Sequence, residues 1–242
     1  MAKRAIAILD SGSIAMGRLA TRLRQLGYAL LTCKTPDHAE RLLRVAQHDV
    51  ATVVLPVDLP TFDLGAALRC MRRLESSGEL TFVATGRRPD AEASALLRSA
   101  GVEFTLWEPA DDHTLRFQIN RAMACSQIVL GARSQLRAPA DWPVAIYSGT
   151  RRKPARVYTL SAGGCYLATW RPSIPGARVV MDLPMANGPV RVGAQVVMTN
   201  VPGDFMRENL PVGMGVRFRR LSHEVESALS TWADRRQQAL GL

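Results

Sequence analysis

Acidic residues are scarce in the second half of this 242-residue chain, and lysine is scarce throughout. Lys3, Lys34 and Lys153 are the only lysines; the other 28 of its 31 basic residues are arginine. Residues 1–130 carry 16 Lys+Arg against 14 Asp+Glu, whereas residues 131–242 carry 15 against 7. Nearly all of the net charge of +10 therefore belongs to the second half, which predicts a positive surface there and an anionic partner. The four cysteines, Cys33, Cys70, Cys125 and Cys165, form no CxxC pair, which excludes a disulfide scaffold and favours reduced thiols. No window approaches the run of about 18 apolar residues that a membrane-spanning helix needs. The opening residues offer five apolar positions before Asp10, too few for a secretory core, so a cytoplasmic protein is expected. His38, His48, His113 and His223 are scattered on polar helix faces or loops and suit solvated roles rather than metal binding. A P-loop, a Ser-His-Asp arrangement and paired catalytic carboxylates are all missing, and a non-enzymatic protein without cofactor or metal is expected.

What is present in the first half alternates. Residues 4–9 are apolar and end at Asp10; Met16, Leu19, Leu23 and Leu26 then follow at helical spacing, closed by Gly27. Residues 28–33 read as a second strand. Thr35-Pro36 is an N-cap with proline at the first helical position, opening a helix with Ala39, Leu42, Leu43 and Ala46 inward. Strands at 50–57, 80–84 and 102–106 alternate with helices at 64–74, 89–100 and 111–124. Apolar runs without alternation belong to strands buried on both faces, so these five form a parallel, doubly wound sheet. In such sheets ligands sit at the carboxyl ends of strands, here Asp10, Pro56, Thr85 and Trp107-Glu108.

The Leu-Asp after the first strand, Leu59-Pro60 after the third, Ala84-Thr85-Gly86 and Glu108-Pro109 resemble the receiver domain of bacterial response regulators. The resemblance spans Ala5 to Met123 and implies a metal held by paired acids, an acceptor aspartate ending the third strand, a hydroxyl and a lysine. Asp10 matches one acid, but Ser11 replaces the second. Pro56 stands where the acceptor aspartate belongs, Thr85 matches the hydroxyl, and Glu108 replaces the lysine. Proline supplies no nucleophile and a glutamate repels phosphate, so aspartyl phosphorylation is not expected. Asp58 lies beyond the strand end in this register. Residues 1–126 are read as a degenerate receiver-like domain that docks or dimerises; without ligand chemistry, Asp10 and Thr85 are ordinary loop and strand-end hydrogen bonders.

Residues 127–140 are read as a connecting helix and loop, with helix five running on and the segment from Ala138 to Pro143 breaking it. Then the period changes. Val190, Val192, Ala194, Val196 and Met198 alternate with Arg191, Gly193, Gln195 and Val197. Strands at about 143–149, 154–161, 164–170, 176–183, 189–200 and 211–219 predict a six-stranded antiparallel barrel over residues 141–242. A helix from His223 to Leu240 follows, with Val225, Leu229 and Trp232 on the face that covers the barrel's end. Trp142, Trp170 and Trp232 are expected in this second core, with Cys165 as a buried thiol. The fold class is thus α/β plus β.

Arg133 and Arg137 lie four apart just before the first barrel strand, and Thr159-Leu-Ser161-Ala-Gly163-Gly164 turns between the second and third. Guanidinium groups fork phosphate oxygens or the O6/N7 edge of guanine, a serine bonds a base edge, and glycines admit close backbone approach. With Pro175-Gly176, Gly213-Met-Gly-Val-Arg-Phe218 and Leu221-Ser222, these resemble the PilZ domain, a receptor module for cyclic di-GMP, over residues 131–240. The resemblance implies arginines that wrap an intercalated dinucleotide and a D/N-x-S-x-x-G turn that contacts guanine. Arg133, Arg137, Ser161 and Gly164 match, Gly163 lies in the turn, and Thr159 replaces the Asp or Asn. A threonine accepts one hydrogen bond where an aspartate accepts two, which costs about 1.5–3 kcal/mol, or roughly ten- to a hundredfold in affinity.

The expected protein is a signalling adaptor in which cyclic di-GMP orders the connecting segment and changes the angle between the domains. A protein partner, or a second copy through helix 4, strand 5 and helix 5, would engage the receiver-like half. The resemblance implies outputs such as motility, polarity or biofilm control. Two other classes remain open: a ligand-independent interaction module whose arginines only solvate a connecting helix, and a nucleic-acid binder using Arg151, Arg152, Lys153, Arg217, Arg219 and Arg220. The latter lacks a helix-turn-helix or aromatic stacking surface.

Overall fold

The computed structural model describes residues 4–10, 12–45, 50–59, 63–74, 80–125, 135–185, 188–203 and 209–242. The chain divides into two compact units, one comprising Met1–Leu130 with Leu240–Leu242 and the other Gly131–Ala239.

In the first unit, strands β1 (Ala5–Leu9), β2 (Leu30–Cys33), β3 (Val50–Pro56), β4 (Thr81–Gly86) and β5 (Phe104–Trp107) form one sheet. Its order is β2-β1-β3-β4-β5 and its strand pairs are parallel. Helices α1 (Ile14–Gln25), α2 (Pro36–Arg44), α3 (Leu64–Leu74), α4 (Ala91–Ser99) and α5 (Asp112–Cys125) alternate with them. Local chemistry starts each helix where the sequence predicts. The side chains of Ser13, Thr35 and Asp90 accept the backbone N–H of Met16, His38 and Ala93, and Gly27 leaves α1 at a φ of 86°. The sheet is buried on both faces: Ala7, Leu9, Val53 and Leu55 pack with α2, α3 and α4, and Ile6, Ile8 and Val54 pack with α1 and α5. That two-sided burial is why these strands read as continuous apolar runs.

The second unit is a closed barrel of β6 (Ala138–Ser148), β7 (Arg151–Ser161), β8 (Gly164–Ala168), β9 (Arg178–Met185), β10 (Gly188–Asn200) and β11 (Gly213–Arg219). The strand order around it is β10-β11-β8-β7-β6-β9. Val192, Ala194 and Val196 point into its core as the alternation predicts, but a register shift between Val196 and Met198 breaks the period there. Met198 instead lies over Gly215, where a Cβ would stand 2.8 Å from its Cγ. Helix α6 (His223–Leu240) lays Leu229, with Val225 and Trp232, against the barrel core. Trp142 meets Trp232 with ring centroids 4.7 Å apart.

Two expectations fail in the barrel. The first strand begins at Ala138, five residues before the predicted start, and continues through Pro139 and Pro143. A bulge admits the prolines: the register shifts between Pro139 and Trp142, and Asp141 takes a left-handed φ of 49°. Arg156 pins that bend, its Nε donating to Asp141 Oδ1 at 2.8 Å and its Nη2 to the Asp141 carbonyl at 3.1 Å. Trp170 is not a core residue; β8 ends at Ala168 and the indole is 85% exposed. The predicted continuation of helix five falls at residues 126–134, outside the described residues.

Leu229 is fully buried in the barrel core, whereas Leu96 on α4 is 64% exposed. Leu229→Ala is expected to lower stability by about 2–5 kcal/mol, and Leu96→Ala by less than about 0.5 kcal/mol, in guanidinium unfolding followed by tryptophan fluorescence.

Candidate functional site

The hairpin joining β7 to β8 is tight because its two ends pair, Ser161 with Gly164. The Ser161 hydroxyl donates to the Gly164 carbonyl at 3.1 Å, and the Gly163 carbonyl accepts from Phe218 N at 2.9 Å. A Cβ on Gly164 would stand 2.2 Å from the Val216 carbonyl oxygen, so only glycine lets β11 pass this close. The turn is therefore held both by its own hydroxyl and by the neighbouring strand.

The arginine segment reaches this turn by strand pairing. Ala138 pairs with Leu160 and Pro139 with Thr159, so Arg137 enters β6 alongside the end of β7 at Ser161. The side chains agree with this approach. A Cβ on Gly163 would meet Gln135 Oε1 at 2.1 Å, so the Gln135 amide lies directly over the glycine. Burial pushes the Cys165 thiol up to about 12, and the positive charge of Arg137 works against that rise. Cys165 is the buried thiol the sequence predicts, with its sulfur 3.9 Å from that of Met181. Gln237 Nε2 of α6 donates to the Arg137 carbonyl and fixes the backbone from which that guanidinium projects. Arg133 lies outside the described residues.

Leu160 faces the barrel core, so its neighbours Thr159 and Ser161 face away from it. Both are nevertheless buried, at 8% and 2% exposure. Gln135 is a candidate that the sequence reading did not name, and Arg217, named there only for the nucleic-acid alternative, is a second neighbour of the turn. Gln135 sits inside the RxxxR spacing, which specifies only its ends. Arg217 is exposed and pairs across β11 with Gly164, a neighbour visible only once strand order is known. The surface that results carries a glycine turn covered by the Gln135 amide, the buried Thr159 and Ser161 hydroxyls, and the exposed Arg217 in register with Gly164. Guanidinium, hydroxyl and amide groups of this kind suit a phosphorylated, hydrogen-bonding ligand.

The carboxyl edge of the parallel sheet holds the residues that the receiver resemblance singled out in the sequence. Asp10 Oδ1 accepts from Gly12 N at 2.9 Å, and Ser11 lies outside the described residues. Pro56 is buried as the last residue of β3 and pairs with Thr85. Thr85 lies within β4, not after it, and its hydroxyl donates to the Leu106 carbonyl at 3.1 Å. Glu108 N donates to the Gly86 carbonyl at 2.8 Å before a cis peptide bond to Pro109. Asp58 is exposed in the turn beyond β3. Among the described residues no three His, Cys, Asp or Glu side chains gather as metal ligands, and no helix is long and apolar enough to cross a membrane. The edge thus joins a proline, a hydroxyl committed to a neighbouring strand and a carboxylate.

No family model matches the sequence, and no curated protein matches it. Solved structures do. The inhibitor of motility MotI/DgrA of Bacillus subtilis is 20% identical with a TM-score of 0.37, over 46% of this chain and 53% of that one, so the chain spans about half of that protein. A CheY-like response regulator receiver domain protein of Methanospirillum hungatei is 14% identical with a TM-score of 0.43, over 52% of this chain and 97% of its own. The signal receiver domain of an HD domain-containing protein of Pseudomonas fluorescens is 25% identical with a TM-score of 0.44, over 52% and 91%. The fold itself, a five-stranded parallel sheet with helices followed by a closed six-stranded barrel and a helix, rests on the strand order above.

Proposed function

We propose that the chain is a non-enzymatic signalling adaptor that binds cyclic di-GMP on the β7–β8 turn and relays its occupancy to a protein partner through the receiver-like unit. The observation that carries this reading is the pairing of β6 with β7 up to Ala138 and Leu160, which brings Arg137 alongside the end of β7, together with the Gln135 amide lying over Gly163. Arg137 of the RxxxR spacing, a spacing common in arginine-rich chains, thus comes alongside the Ser161–Gly164 turn. A dinucleotide arriving there displaces the Gln135 amide from the glycine and meets the Arg137 and Arg217 guanidinium groups from two sides. Motility, polarity or biofilm control is the output class that the PilZ resemblance implies, and a second copy of the chain is one partner for the α4–β5–α5 face.

A second reading has its own support. Thr159 is buried and supplies no carboxylate, and Gln135 already covers the turn. Those two facts fit a ligand-independent interaction module. The two readings separate in a titration.

Calorimetric titration of cyclic di-GMP is expected to show saturable binding that weakens by about ten- to a hundredfold in Arg137→Ala, the loss of a charge-assisted contact. Thr159→Asp is expected to tighten binding by a similar factor, and Gln135→Ala by a few-fold because no side chain need be displaced. No heat from either wild type or Thr159→Asp at high micromolar ligand supports the ligand-independent module. Separately, incubation with acetyl phosphate and magnesium is expected to leave the intact mass unchanged. A phosphoryl adduct on Asp58 or Asp10 would overturn the view that the receiver-like unit lacks phosphotransfer.

A further inference from the structure

The end of the barrel away from the β7–β8 turn displays apolar side chains on a braced loop. Trp170 is 85% exposed and Ile174 77% exposed, in the connection between β8 and β9. A single exposed apolar side chain is ordinary on a protein surface. This pair differs because the loop that carries it is fixed along its length. Thr169 N donates to the Val212 carbonyl at 3.0 Å and its hydroxyl to the Pro154 carbonyl at 3.1 Å. Lys153 Nζ reaches the Arg171 carbonyl at 3.4 Å and Ser173 Oγ at 3.3 Å. Gly176 N donates to the Val196 carbonyl at 2.8 Å, and Ala177 N to the Ile174 carbonyl at 3.1 Å. The braced loop thus holds an indole and a sec-butyl group in water.

Charge surrounds them. From Trp142 to Met181 the sequence has no acidic residue and six basic ones, Arg151, Arg152, Lys153, Arg156, Arg171 and Arg178. The β6–β7 hairpin presents Arg151 and Arg152 at this same end, since Ser148 pairs with Arg151. Arg178 opens β9 directly after the loop. All four of Arg151, Arg152, Arg171 and Arg178 are exposed. Asp204 and Glu208, in the connection from β10 to β11, lie outside the described residues. The 11 residues of β7 separate this end from the Ser161 turn, a distance of roughly 30 Å along the strand.

We infer that this end of the barrel docks on an anionic lipid surface, with Trp170 and Ile174 entering the headgroup region and Arg151, Arg152, Arg171 and Arg178 facing the anionic headgroups. A projecting tip with bare apolar side chains needs no shaped cavity in a bilayer interface, where tryptophan settles at headgroup level. Each basic residue near such a surface contributes a factor of about five to partition. The occupant is peripheral, and the surface is independent of the proposed nucleotide site.

The test is sedimentation of the full chain with vesicles of seven parts phosphatidylcholine to three parts phosphatidylglycerol, against phosphatidylcholine alone. Wild type is expected to sediment with the anionic vesicles, with a blue-shifted tryptophan emission, and to be released by high salt. Trp170→Ser with Ile174→Ser is expected to weaken partition at least tenfold, and Arg151→Ser with Arg152→Ser about twenty-fivefold. Leu96→Ser, a surface change in the other unit, is expected to sediment as wild type. Wild type that stays in the supernatant overturns the inference, as does an unchanged partition of the Trp170/Ile174 variant. Trp170-dependent capture of an acidic polypeptide without vesicle binding assigns the surface to a protein partner and overturns it as well.

Discussion

The close approach of β11 to Gly164 is the contact on which the second unit's architecture and its candidate site both depend. With no side chain at that position, the Val216 carbonyl comes within a distance that any Cβ would violate. β8 can then pair with β11, which lets the barrel close through β10. The same approach brings Phe218 N onto the Gly163 carbonyl and holds the hairpin turn against the neighbouring strand. Arg217, in register with Gly164, is delivered to the turn by this pairing. Closure of the barrel and assembly of the proposed binding surface are consequently one event.

The two units carry the same kind of architecture-derived edge with opposite chemistry. At the carboxyl edge of the parallel sheet, Pro56 and Glu108 remove the nucleophile and the cation that phosphoryl transfer needs, while Thr85 spends its hydroxyl on the Leu106 carbonyl. What remains is a set of ordinary backbone and loop hydrogen bonds that stabilise the strand ends. At the barrel turn the reactive inventory is also small, but Arg137 and Arg217 bring positive charge beside a glycine turn that the Gln135 amide covers. On the proposed reading, Thr159 sets affinity rather than the presence of the site, because the arginines and the glycine turn do not require it.

Much of the first unit was legible in the chain because each signal was local. Ser13, Thr35-Pro36 and Asp90 cap helices through their own side chains, and two-sided burial writes itself as apolar runs. The barrel's alternation was equally readable along β10 until the shift after Val196, a bulge with no composition of its own. The start of β6 was hidden by Pro139 and Pro143, which read as breakers; the bend at Asp141 and its bond to Arg156 make room for them, and that partner is 15 residues away in sequence. Trp170 was misplaced because size and apolarity predict burial on average, whereas the hydrogen bonds that brace its loop decide the individual case. The Arg137 and Ser161 motifs were visible as spacings. The approach of Arg137 to the end of β7, and the Gln135 amide over Gly163, follow from a strand pairing that no window of sequence contains.

The central claim is that the segment around Arg137 and the β7–β8 turn act as one ligand-responsive surface. Hydrogen–deuterium exchange of the full chain, with and without saturating cyclic di-GMP, tests it most directly. The account predicts slowed exchange confined to peptides spanning residues 133–140 and 159–166, with no change in peptides spanning 50–60 and 81–109. Identical exchange in both barrel segments with and without ligand, or protection confined to the receiver-like edge, would contradict it.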